Sequence, residues 1–140
     1  MSLLRLGYYH LLKILSDDWR ILPTSVNKPE DLSFGVLTML YRLNVYLRDH
    51  QATVLITSGY RTPEEQRELR LLWDSGARSD HGLRAKPSLN SLHTVYPARA
   101  VDMSILNDQG RVLLRGLGAF AVRLGYYWSV SDDVHFSIGR

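Results

Sequence analysis

The sequence predicts an α+β fold in which helices flank a small antiparallel sheet. Apolar residues recur at helical spacing over 32–48 and 111–124. Short β-branched or alternating runs occur at 53–57, 99–105 and 133–138. Strands and helices also do not alternate regularly, as they would around a parallel sheet. A chain of 140 residues that is 45% hydrophobic can build one core without cross-links, so a single domain over 1–140 is expected.

The elements follow in order. Leu3, Leu4, Leu11, Leu12, Ile14 and Leu15 fit a short amphipathic helix, closed by Asp17, Asp18 and Pro23. Tyr8, Tyr9, His10 and Lys13 interrupt its apolar run and no small-residue cleavage site follows, so it reads as structure rather than a secretory leader. The segment 21–33 reads as a loop. The next helix turns Phe34, Leu37, Leu40, Tyr41, Asn44 and Leu47 to one side. TVLIT at 53–57 is short and continuously apolar or β-branched, which suits a buried strand.

After SGYR, Thr62 stands three residues before Glu65 with Pro63 between them, a capping box with a first-turn proline. The helix it starts carries Leu69, Leu72 and Trp73 inward and stops near Gly76. The polar stretch 76–92 reads as a long surface loop, a kind of segment that tends to carry function. A strand at 99–105, a turn at NDQG and a helix over 111–124 follow, the helix presenting Leu113, Leu114, Leu117, Phe120, Ala121 and Leu124 and capped by Gly125. Two short strands, 126–128 and 133–138, close the domain around the turn SVSD.

Composition narrows the chemistry. Cysteine is absent, which removes disulfides, thiolate metal sites and cysteine nucleophiles, so a metal must be held by His and carboxylate. The net charge of +3 comes from scattered arginines; their irregular interleaving with aromatics does not indicate nucleic-acid binding. No apolar run reaches the length of a membrane span, and synthesis in the cytoplasm as a monomer is expected.

Side chains alternate across a strand. In the strand 99–105, Val101, Met103 and Ile105 share one face, and Ala100, Asp102 and Ser104 the other. In the last strand, Val134, Phe136 and Ile138 share a face opposite His135 and Ser137. If both apolar faces meet the core, Asp102 and His135 project from the polar side of one sheet, and His93 just upstream can complete a three-ligand site. Three N and O donors with one position left to water is the arrangement of a catalytic zinc site. Asp132 and Asp133, three and two residues before His135, are the candidate general bases, with Asp132 preferred.

SGYRTPEEQ at 58–66, SLHTVYPARAVD at 91–102 and the terminal DDVHFSIGR together resemble the zinc D-Ala-D-Ala carboxypeptidase and murein endopeptidase family, which shares the hedgehog/DD-peptidase fold. The resemblance spans roughly the last two-thirds of the chain. It implies zinc ligation by His93, Asp102 and His135. It further implies that Arg61 contacts the substrate or its developing oxyanion, with Gln66 and Ser91 also on the substrate side. The implied substrate is the peptide of bacterial peptidoglycan, and GYYWSVSDDVHFSIGR is closest to the endopeptidase branch. The implied site of action is the cell wall or periplasm, reached as a phage lytic or virion enzyme or by export of a longer precursor.

Two departures from the family pattern stand out. His93 and Asp102 are nine residues apart, wider than usual, with Ala98 in place of the customary glycine, and Asp rather than Glu stands at the base position. These keep a second expectation in play, a wall- or zinc-binding module of the same fold without turnover. His10 and His50 read as ordinary structural residues, and His81 as a loop residue within reach of substrate.

Overall fold

A computed structural model describes residues 2–24, 28–76, 86–105 and 110–140. Four helices, α1 (Ser2–Leu15), α2 (Phe34–Asp49), α3 (Pro63–Asp74) and α4 (Gly110–Arg123), surround five strands, β1 (Ile21–Pro23), β2 (Val54–Ser58), β3 (Ala100–Ile105), β4 (Tyr127–Ser129) and β5 (Asp132–Ser137). A 3-10 turn lies at Pro29–Asp31. His81 and the NDQG turn up to residue 109 fall outside the described residues.

The strands form one sheet in the order β1-β2-β3-β5-β4. The α+β class holds, but the sheet is mixed. Ile21–Pro23, expected in a loop, lies parallel to β2, while every other pair is antiparallel. Pro23 is tolerated because β1 is an edge strand, where a missing N–H need not break a ladder.

The core occupies one face of the sheet. Val54, Ile56, Val101, Met103 and Phe136 are buried there with Tyr9 and Leu12 of α1, a broad stripe of α2, and Leu114, Leu117 and Ala121 of α4. Helices α1 and α2 turn faces to this core that the apolar count alone predicts imperfectly. In α1, Leu4, Leu11, Ile14 and Leu15 are exposed, and Tyr9 and Leu12 face inward. Tyr9 wins because its hydroxyl donates to the carbonyl of Ile21 at 3.0 Å, so a large ring is buried with its polar end satisfied.

In α2, Val36, Met39 and Leu43 join the buried set, whereas Phe34 and Tyr41 stay at the rim. The polar Asn44 is buried at no cost in unpaired groups. It accepts from the Arg20 amide at 2.8 Å and donates to Ser16 Oγ and the Asp18 carbonyl. Ser33 caps α2 by accepting from the Val36 amide.

Helix α3 differs from the other three. Its capping box forms as expected, Thr62 and Glu65 bonding reciprocally at 2.9 and 3.1 Å. Yet Leu69, Leu72 and Trp73 are only half-buried, and the one fully buried side chain on α3 is Gln66. The helix lies apart from the apolar core, and it carries polar groups toward the other face of the sheet.

Candidate metal centre

Asp102 and His135 are direct cross-strand partners in the β3–β5 ladder, next to the buried pair Val101 and Phe136. Because faces alternate, burying the latter pair sends the former to the open side of the sheet. His93 arrives from the loop before β3. Its amide donates to Ser91 Oγ at 3.1 Å and its carbonyl accepts from the Arg61 amide at 2.8 Å, which fixes the backbone on both sides of the ring.

Three donor atoms converge. His93 Nε2 lies 3.2 Å from Asp102 Oδ1 and 3.2 Å from His135 Nδ1, and His135 Nδ1 lies 3.4 Å from Asp102 Oδ1. Zinc bonds of roughly 2.0–2.1 Å in a tetrahedron place neighbouring ligand atoms about 3.3 Å apart, so the triangle fits one face of such a site. The tautomer also fits. His93 Nδ1 is 2.7 Å from the Gly59 carbonyl and must donate to it, which leaves a bare lone pair on Nε2 in the neutral ring. Among the described residues, these three form a group able to hold a metal ion.

The carboxylate is prepared for the charged form. Burial alone raises the Asp102 carboxyl, but when no metal lies between them hydrogen bonding to His135 and His93 and the positive charges of protonated His93 and of Arg61 hold it well below the usual carboxylate range. Its second oxygen, Oδ2, is held at 2.8 Å by Arg61 Nη2.

The centre opens on a cleft of about 670 Å³ whose walls include Arg61, Gln66, Ser91, Tyr127, Asp132 and Arg140. Asp132 lines it beside His93, Asp102 and His135. Its carboxyl is raised, first by burial and then by the nearby Asp102 charge, against the lowering pull of His135 and His93. Asp133 turns the other way: it is buried, with Oδ2 3.4 Å from Arg111 Nε at the start of α4. Strict alternation does not run through this stretch. Val134, expected on the core face, is half-buried against the core and also borders the cleft beside Asp132 and His135, and the β4–β5 pairing shifts register here.

The remaining expected residues are close by but engaged with protein. Ser91 shapes the turn before His93. Gln66 is buried, donating to the Ser88 carbonyl at 2.8 Å and accepting from Arg61 Nη1 at 3.0 Å. The wide loop between His93 and Asp102 reaches over to the 3-10 turn: Ala98 exchanges backbone bonds with Asp31 and Ser33, and the Tyr96 hydroxyl donates to Asp31. Sequence reasoning missed Lys86 and Arg140 on the cleft wall, Arg140 resting over the Tyr127 ring at 5.4 Å. A basic residue after a last strand carries no periodic signal that could have found it.

The domain is thus an α+β fold with a mixed sheet, apolar on one side and bearing a His-Asp-His cluster on the other. No protein-family model matches the chain, and no curated protein matches it in sequence. Solved structures share the fold. One is a mutant of the vancomycin-resistance D,D-pentapeptidase VanY from a VanB-type cassette in complex with Zn(II), with TM-score 0.53 and 19% identity over 76% of this chain and 72% of that one. VanYB in complex with D-alanine-D-alanine matches at TM-score 0.53 and 17% identity, over 77% and 72%. The L-Ala D-Glu endopeptidase ChiX of Serratia marcescens matches at TM-score 0.52 and 17% identity, over 87% and 93%.

Proposed function

We propose that this protein is a zinc peptidase that cleaves a peptide bond of bacterial peptidoglycan. The observation that carries the reading is the triangle of His93 Nε2, Asp102 Oδ1 and His135 Nδ1 at tetrahedral spacing, open on one side to the cleft. Zinc held there supplies Lewis acidity toward a peptide carbonyl and lowers the pKa of a water molecule. No nucleophilic side chain is then needed.

The chain's own residues supply the rest. Asp132 is the general base, taking a proton from the attacking water at its carboxylate and returning it to the departing amine. Its raised carboxyl suits both halves of that transfer. Tyr127 and Val134 line the cleft near His135 and shape the path of the substrate. Lys86 and Arg140 give the wall a positive character that suits a peptide bearing a free carboxylate.

Cleavage within the wall peptide, rather than trimming of its end, has the broader support. The GYY segment at 125–127 resembles the endopeptidase branch, and the match to ChiX extends over more of both chains than the matches to VanY. Action at the cell wall, as a lytic enzyme, follows from that substrate.

The test is to incubate zinc-loaded protein with purified peptidoglycan and analyse the released peptides by mass spectrometry. New amino termini that vanish on chelation are expected. Protein that sediments with the wall and releases nothing would establish the non-catalytic binding module instead.

A further inference from the structure

Arg61 is held in a way that its expected role as a substrate contact does not require. Each of its three guanidinium nitrogens has a protein partner: Nε donates to Ser58 Oγ at 2.8 Å, Nη1 to Gln66 Oε1 at 3.0 Å, and Nη2 to Asp102 Oδ2 at 2.8 Å. The Arg61 and Asp102 side chains are 19% and 18% exposed, so this is a mostly buried ion pair and not a surface contact. The same residue's amide donates to the His93 carbonyl at 2.8 Å. One residue therefore holds two members of the triad, His93 through its backbone and Asp102 through its side chain.

We infer that Arg61 is a positioning residue for the metal centre: it fixes Asp102 so that Oδ1 alone faces the ion and couples that carboxylate to the His93 loop. The inference rests on the zinc reading of the site. Its physical content lies in the shape of the guanidinium. A planar fork satisfies three partners in three directions at once and occupies the second carboxylate oxygen, which stops the carboxylate from swinging or chelating through both atoms. Gln66 and Ser58 are the far anchors of that fork. Gln66 is buried on α3 and pinned in turn to the Ser88 carbonyl, so the helix that stands outside the apolar core is tied to the metal site through Arg61. An ammonium in its place keeps the charge but cannot span the three anchors.

The discriminating variant is Arg61→Lys, with Ser58→Ala as a milder partner that removes one anchor and keeps the guanidinium. Zinc affinity is measured by competition with a chromophoric chelator, and the cobalt(II)-substituted proteins are compared by visible absorption. Outer partners of metal ligands typically contribute a factor of about 10–100 in affinity. Arg61→Lys is expected to lose zinc affinity in that range and shift the cobalt bands, with a smaller loss in the same direction for Ser58→Ala. KM for a wall peptide, at saturating zinc, is expected to move less than the affinity does. Unchanged zinc affinity and an unshifted cobalt spectrum, in either variant that folds with the wild-type melting temperature, would overturn the inference. A rise in KM without those changes would return Arg61 to the substrate. These readouts need no turnover, so a wild-type protein that binds zinc but releases no peptide would sink the proposed activity and leave this test intact.

Discussion

On one face of the sheet Val54, Ile56, Val101, Met103 and Phe136 are sealed beneath α1, α2 and α4, and the contacts are apolar and closely packed. On the other face Asp102 and His135 stand on two of the same three strands, answered by His93, Arg61 and Gln66 and bordered by an open cleft. Adjacent residues on one strand thus serve opposite ends: Phe136 holds the fold and His135 the site. What separates them is only the pleat. Stability and chemistry should accordingly be separable by substitution, even between neighbours.

Substitutions on the polar face should strike activity first. Replacing His135 with Ala is expected to reduce peptide release to background and abolish zinc retention while the far-ultraviolet circular dichroism stays that of the wild type; retained zinc, measured by elemental analysis, would break the contrast. Asp132→Asn comes next. It should lower kcat by roughly 10²–10⁴ with zinc content unchanged, and Asp133→Asn should not reproduce that loss, because its side chain faces Arg111.

Substitutions on the apolar face should do the reverse. Phe136→Ala is expected to cost about 3–5 kcal/mol of stability, read as a lower denaturation midpoint, with zinc stoichiometry intact in the fraction that remains folded. The smallest effect falls at the cleft rim. Arg140→Gln should raise KM for an acidic wall peptide roughly two- to fivefold, the range of an exposed ion pair, and leave both melting temperature and zinc affinity where they were.

Much of this division is legible in the sequence, and the reason is periodicity. The alternation in 99–105 sets Asp102 against Val101 and Met103, and the structure keeps that assignment. The Thr62–Glu65 capping box and the inner side of α4 are local patterns, and they form where expected. What escaped depended on partners distant along the chain. Tyr9 turns inward because the Ile21 carbonyl is there to receive its hydroxyl. The strand Ile21–Pro23 exists because β2 offers it an edge. The directions of Asp132 and Asp133 are set by a register shift that no alternation rule carries. The three anchors of Arg61 come from a strand end, a helix and a second strand, so its sequence neighbourhood could suggest a cationic contact but not which one.

The rung that joins Asp102 to His135 has a consequence for how such a chain tolerates change in length. Two of the three donor residues are spaced by the hydrogen-bond ladder itself, so insertions in the surrounding connections leave their separation untouched. The nine-residue interval from His93 to Asp102 is one such connection, and Ala98 within it bridges to Leu32. A single residue added inside β3 or β5 between the core and the rung is a different matter. Unless the strand took it up as a bulge, it would rotate one donor to the far side of the sheet.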